Sequence, residues 1–274
     1  VLILSIDITK QKRLEVELRK LNEYFENNVN ERTKELVVAL EREKELNLIK
    51  SRFVSVASHE FKTPLGAIQI SVNVLEEYNG AIPEHVQQRL ELYGYIKSSV
   101  KSMFEILNDY LTLDRLEQNK INTEIQSFDV VALIADEIEK IKILCKTGQK
   151  IIYTHEGNGK TVKTDKQLMK SILLNLLSNA IKYSEKNIEI STNLNKTHLL
   201  LNVIDKGIGI PKKDQKSLYQ KFFRAENTRE IQGTGLGLNI VKRYVELLEG
   251  EITYESKLNN GTTFQVNIPS NKLS

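Results

Sequence analysis

Asn175-Leu176-Leu177-Ser178-Asn179-Ala180-Ile181-Lys182-Tyr183 is the stretch on which the reading of this chain turns. Asn175 and Asn179 are four residues apart, Lys182 lies three further on and Tyr183 four beyond Asn179. At helical periodicity the four share roughly one face. Each suits a different part of a magnesium nucleotide. An amide carbonyl oxygen is a hard, neutral ligand of the kind magnesium accepts beside phosphate oxygens. The Lys182 ammonium answers phosphate charge, and the Tyr183 ring offers a flat surface to a base or ribose. A solvated polar helix face has the same composition, so the stretch acquires meaning from what surrounds it.

Downstream, Asp205-Lys206-Gly207-Ile208-Gly209-Ile210 closes an apolar strand. A buried carboxylate at Asp205 selects adenine, accepting from its exocyclic amine where guanine would present a second acceptor. Gly207 and Gly209 allow the backbone to approach a ligand closely. Then Gly233-Thr234-Gly235-Leu236-Gly237-Leu238 runs into a helix, which places amides and a helix N-terminus toward anions. No Gly-Lys-Ser or Gly-Lys-Thr follows, so this is not a P-loop. The charged segment 224–232 before it is expected to be a mobile lid that orders on nucleotide.

Upstream, His59-Glu60-Phe61-Lys62-Thr63-Pro64 lies within a helical pattern. Glu60 is placed to hold one imidazole nitrogen and leave the other free to attack phosphorus. Pro64 removes the amide that would bond the Glu60 carbonyl, predicting a kink beside His59. Thr63, one turn along, is placed to orient a water for hydrolysis. His85, His155 and His198 lack comparable neighbours, and no zinc spacing occurs.

The patterning predicts a multidomain α and α+β chain. Leu14, Leu18, Leu21, Phe25 and Val29 form a heptad seam with a stutter, which weakens and resumes as Leu46, Ile49, Phe53 and Val56. A dimeric coiled-coil helix is expected to run to about Tyr78, where Asn79-Gly80 stops it and Pro83 opens a second helix. In that helix Val86, Leu90, Tyr93, Ile96, Val100, Met103, Leu107, Tyr110, Leu111 and Asp114 keep helical spacing. An antiparallel hairpin follows, two copies of which make a four-helix bundle in a homodimer. Beyond 120, strands at 125–128, 151–154, 188–192, 198–205, 251–256 and 262–268 alternate with helices at 129–146, 165–183 and 236–248. Together they predict an α/β sandwich with helices on one face of a mixed sheet.

With 40% hydrophobic and 27% charged residues, the 274-residue chain has the composition of a soluble protein. No apolar run approaches the roughly 18 to 20 residues of a membrane span. A net charge of +3, with lysines interleaved among acids, gives no nucleic-acid footprint. The single cysteine, Cys145, suits a cytoplasmic setting. The chain starts without Met inside Val1-Leu2-Ile3-Leu4-Ser5-Ile6, which reads as a strand whose partners lie upstream. It is therefore expected to be the cytoplasmic C-terminal part of a longer protein that is either cytoplasmic or anchored in the inner membrane.

These motifs, in this order, resemble the histidine kinases of two-component signalling, with Leu218-Tyr219-Gln220-Lys221-Phe222-Phe223-Arg224 as a fifth, aromatic motif. The similarity covers about Leu46 to Pro269. It implies a truncated sensor (PAS) strand at 1–9, a coiled-coil signalling helix at 10–45 and a dimerisation and phosphotransfer domain at 46–120. A Bergerat-type (GHKL) ATP-binding domain would occupy 121–274. It further implies ATP and Mg2+ as cofactors, a homodimer, and a response-regulator receiver domain as partner. His59 is then the phosphoacceptor, Glu60 the base and Thr63 the phosphatase residue. Asn179 binds magnesium, with Asn175 a second candidate ligand, and Asp205 reads adenine. Lys182, Tyr183, Gly207, Gly209, Ile210, Phe222, Arg224 and the lid residues Gly233, Thr234, Gly235, Leu236, Gly237 and Leu238 contact nucleotide. Tyr219 and Lys221 depart from the family's usual Phe and Pro. The alternatives are a GHKL-type ATPase and a non-catalytic dimeric scaffold. Asn175 weighs against the first, because the related ATPases carry there the Glu that activates water, and an amide is no general base.

Overall fold

The computed structural model describes residues 9–77, 86–118, 120–157, 159–228, 231 and 233–270. Of these, the side chains at 9–11, 45, 46, 49, 50, 52, 53, 59 and 77 are outside the description. The strand expected at 1–9 and the turn at Asn79-Gly80 and Pro83 therefore lie largely outside the described residues, Thr9 alone being seen, as the first residue of a helix.

The chain forms two units, 1–54 and 55–274. In the first, helix α1 begins at Thr9 and presents Leu14, Leu18, Leu21, Phe25 and Val29 as a wholly exposed apolar stripe. Such a stripe on a single helix is the surface a second copy would cover.

In the second unit α1 continues to Glu77, passing through Pro64 without losing helical structure. Helix α2 spans Val86–Glu117. A cavity of about 200 Å3 lined by Phe61, Val100, Met103, Phe104 and Leu107 lies between the two helices. In a single copy of α2, Val86, Leu90, Tyr93, Val100, Leu107 and Leu111 are exposed, and the buried positions are Ser99, Ile106, Leu113 and Leu116. Ser99, Ser102, Ile106, Asp109, Leu113 and Leu116 recur at spacings of 3, 4, 3, 4 and 3, a heptad stripe in its own right. It lies one residue, about 100°, around the helix from the stripe Val100, Met103, Leu107, Tyr110 and Asp114. The inner stripe packs toward helix α5 (Gly237–Leu247) of the sandwich.

The sandwich begins with β1 (Ile125–Asp129) and α3 (Val130–Ile141), which the Asp129 carboxylate caps by accepting from the Ala132 N–H at 2.9 Å. A 3-10 turn over Lys142–Leu144 ends the helix earlier than the expected 146. Next come β2 (Ile151–Gly157), β3 (Thr161–Asp165) and α4 (Lys166–Tyr183), whose N-cap Asp165 accepts from Gln167 and Leu168. β4 (Ile188–Leu194) and β5 (His198–Asp205) precede α5, and β6 (Glu251–Lys257) and β7 (Gly261–Pro269) follow it. The five-stranded sheet has the order β2-β4-β5-β7-β6, with β2 parallel to β4 and the other pairs antiparallel. β3, which patterning does not reveal, pairs with β1 in a separate two-stranded ribbon. Its alternation of polar residues around one buried Val162 is too short to read.

Helices α3, α4 and α5 pack side by side over one face of the sheet. Strand alternation fixes what this face receives. Leu199, Leu201 and Val203 of β5 are buried, and Asp205 shares their parity, so the strand turns a carboxylate inward at its end.

Candidate functional site

A cavity of about 660 Å3 opens where α4, the end of β5, the 223–238 segment and the helical hairpin converge. Its walls hold Asn175, Asn179, Lys182 and Tyr183 from α4 and Asp205, Gly209 and Ile210 from the β5 exit. Arg224, Gly233, Thr234, Gly235, Gly237 and Leu238 come from the segment before and into α5, and Glu60 comes from α1. That volume suits a ligand of nucleotide size.

Helix α4 sorts its residues by face. Leu168, Met169, Ile172, Leu173, Leu176, Leu177, Ala180 and Ile181 enter the core, leaving Asn175, Asn179, Lys182 and Tyr183 for the cavity side. The Asn175 amide donates to the Ser171 carbonyl at 3.0 Å, which assigns its oxygen to the cavity. That oxygen faces Gly237, where a Cβ would come within 2.9 Å of it. An amide oxygen so directed, beside Asn179, fits the hard-oxygen donor set of magnesium. Burial, reinforced by the Arg224 guanidinium, draws the Lys182 ammonium below the usual lysine range, against the pull of Glu60, Glu105 and Asp109. Its Nζ stands 5.2 Å from the centre of the Tyr183 ring. Burial pushes the Tyr183 phenol up.

At the strand exit, burial raises the Asp205 carboxyl above the usual range, partly offset by backbone hydrogen bonds from Gly207 and Thr262. The Gly207 N–H donates to Asp205 Oδ1 at 2.8 Å. The cavity lining also includes the apolar residues Ala180, Val203, Ile210, Leu218 and Phe264. The two glycines also meet the protein's own backbone. A Cβ at Gly207 would sit 2.2 Å from the Tyr183 carbonyl oxygen, and one at Gly209, where φ is +61°, 2.1 Å from that of Lys257. Both are demanded by the protein's own backbone crossing tightly there, and Gly207 does not line the cavity.

In the lid, Gly235 has φ +69° and lies against the backbone of Phe222 and Phe223. Lys182 reaches Gly233, where a Cβ would fall 2.7 Å from its Nζ. Two residues expected at the nucleotide lie elsewhere. Phe222, 6% exposed with φ 60°, and Leu236, 1% exposed, turn into the core, and Phe223 lines the cavity in place of Phe222. Both are large apolar side chains whose burial outweighs a place on a polar wall. Arg224 donates to the carbonyls of Thr228 and Ile231 and so holds those two residues. Residues 229, 230 and 232 of the expected lid lie outside the described residues.

The hairpin supplies the remaining wall. The Glu60 carboxylate accepts from the Gly233 N–H at 3.1 Å and meets Arg224 Nη1 at 3.4 Å. An internal anion is thus held by an amide and a guanidinium of the lid. His59 is helical beside it, with its side chain outside the description, and Thr63 is exposed one turn further on. Ser102, Glu105 and Asp109 of α2 also face the cavity, and the sequence reading misses them. The signal was the second stripe of α2 for Ser102 and Asp109, with Glu105 three residues from the first and four from the second. Further ties join hairpin and sandwich: Thr234 to Asp109 at 2.9 Å, Tyr244 to Thr112, and Lys221 to Glu117.

Two family matches fall on this architecture. Residues 49–119 match the family described as His Kinase A (phospho-acceptor) domain. Residues 164–272 match the family described as Histidine kinase-, DNA gyrase B-, and HSP90-like ATPase. Among curated proteins, the circadian input-output histidine kinase CikA of Synechococcus elongatus is 31% identical over 96% of this chain and 36% of its own length. Sensor histidine kinase YkoH of Bacillus subtilis is also 31% identical, over 78% of this chain and 46% of its own. The chain thus spans about a third to a half of these two relatives. Among solved structures, the Acinetobacter baumannii histidine kinase AdeS superposes with a TM-score of 0.60 at 22% identity, covering 78% of this chain and 98% of that one. This last likeness is one of fold.

Proposed function

The chain belongs to the sensor histidine kinases, and from that membership we propose that it transfers the γ-phosphoryl group of Mg-ATP to His59 and then to an aspartate of a response-regulator receiver domain. We further propose that it removes phosphate from that regulator, works as a homodimer joined through the hairpin and coiled coil, and acts in the cytoplasm. Membrane attachment, if any, would come from outside these residues. Among the described residues no helix is long and apolar enough to cross a membrane. The observation that carries the reading is the shared cavity: the residue following His59 lines the same space as the Asn175 to Tyr183 face.

Bound Mg-ATP supplies an activated phosphoryl group and the charge neutralisation its transfer needs. Asn179 and Asn175 would hold the metal through amide oxygens, and Asp205 would accept from the adenine amine. Lys182, Arg224 and the Gly233 amide would hold phosphate oxygens. Glu60 takes up the proton that the imidazole loses as its other nitrogen bonds to phosphorus. Asn175 cannot deprotonate water, so the cavity favours the imidazole as acceptor over hydrolysis.

Incubation with labelled Mg-ATP tests this directly. An acid-labile, base-stable label is expected, abolished in His59→Gln and reduced at least about tenfold in Asn179→Asp. Label that persists without His59 overturns the reading.

A further inference from the structure

Asp109 belongs to none of the nucleotide or phosphoacceptor motifs. It stands on α2, eight residues before the helix ends at Glu117, yet its carboxylate is half-buried in the cavity wall. Its Oδ2 accepts from the Thr234 hydroxyl at 2.9 Å. The same hydroxyl accepts from the Leu236 N–H at 3.2 Å, immediately ahead of α5. A hydrogen-bonded chain therefore runs from the Leu236 amide through Thr234 to Asp109. Burial is the largest influence on the carboxylate, and the Thr234 hydrogen bond and the neighbouring Lys182 ammonium partly offset it. Glu105 on the same helix acts with burial, and together they raise the Asp109 carboxyl above the usual range.

From this geometry we infer that Asp109 is a positioning residue for phosphoryl transfer, fixing the Gly233–Gly237 lid against the second hairpin helix so that the nucleotide cavity faces the His59 turn of the same chain. The inference rests on the kinase reading given above. Thr234 sits between two lid glycines and ties them to the second hairpin helix, so a lid released from Asp109 would leave the nucleotide in its cavity with the hairpin unregistered. Reactions between two bound groups are sensitive to displacements of this order, and the loss falls on turnover with affinity spared.

The experiment uses the 274-residue chain with Asp109→Ala, Asp109→Asn, Thr234→Ala and the Asp109→Ala/Thr234→Ala pair. Mg-ATP binding is followed by calorimetry and His59 phosphorylation by single-turnover labelling. Asp109→Ala is expected to slow labelling at saturating nucleotide about tenfold and change Mg-ATP affinity by less than about twofold. Asp109→Asn, whose amide oxygen still accepts from Thr234, is expected to keep at least about a third of the rate. The double variant should be no slower than the slower single one. Passage of phosphate from prelabelled His59 to a receiver domain is expected to be unchanged in Asp109→Ala. Wild-type turnover in both Asp109 variants, equal loss in both, a fall in affinity without a fall in rate, or additive losses in the pair would each overturn the inference. Absence of labelling in the unsubstituted chain would instead overturn the kinase reading. Should Asp109→Ala fail to fold, the Asp109→Asn and Thr234→Ala rates decide, with Thr234→Ala expected to be slow and Asp109→Asn not.

Discussion

The Glu60 carboxylate rests 3.1 Å from the backbone N–H of Gly233, with Arg224 Nη1 3.4 Å away. A side chain one residue from His59 therefore takes a position that the lid offers to anions in general. On the proposed reading, a phosphate bound there would replace it, and nucleotide binding and release of Glu60 would be one event.

Glu60→Gln separates the two. Loss of an internal competitor is expected to tighten Mg-ATP binding about threefold to tenfold, consistent with the 1.5–3 kcal/mol typical of hydrogen bonds to charged groups, partly retained by the amide. Loss of the base is expected to slow labelling of His59 about 100-fold. Binding that weakens alongside turnover would show that the carboxylate and the phosphates do not compete.

Asp205 gives opposite pH trends in binding and in stability. Its carboxyl is raised by burial, so it protonates at a higher pH than an exposed carboxylate. Adenine recognition needs the ionised form, and nucleotide affinity should climb as pH rises through that raised value. The unliganded fold behaves in reverse. The stabilisation is fully present below the unfolded-state value and is lost as pH rises through the folded one. Asp205→Asn is expected to flatten both profiles in acid titrations of binding and melting, and to weaken adenine nucleotides at least about tenfold.

Thr63 is exposed on α1 and lies outside the nucleotide cavity wall. Thr63→Ala should leave the rate of His59 labelling within about twofold and lower dephosphorylation of a phosphorylated receiver domain at least about tenfold. Parallel loss of both activities would remove Thr63 from the hydrolytic step.

Gly209 tests the backbone crossing at the β5 exit. With φ at +61° and the Lys257 carbonyl oxygen only 2.1 Å from any added Cβ, Gly209→Ala must shift a strand end. A loss of about 2–4 kcal/mol is expected, read as a lower urea midpoint at an unchanged slope. A neutral result would mean that the crossing loosens at no cost.

The sandwich was legible wherever a periodicity persisted. β5 alternates cleanly enough that its span, 198–205, is read off the sequence, and α4 carries its own cap at Asp165. β3 was not legible, since five residues with a single buried apolar side chain carry little signal and the strand exists through its pairing with β1. Among site residues, spacing brings the α4 face together, because helix geometry alone decides it. The same local logic errs at Phe222 and Leu236, where tertiary burial decides which neighbour in a motif turns inward. Ser102, Glu105 and Asp109 went unread because the stronger apolar stripe on α2 draws attention to the adjacent face.

That second stripe constrains how the chain can change length. Two heptads separated by one residue leave α2 no neutral direction, so deleting a single residue between Ser99 and Leu116 would turn bundle-facing side chains onto the sandwich for the rest of the helix. Only a whole heptad restores both faces at once. Across related chains, α2 should therefore gain or lose length between these points in sevens.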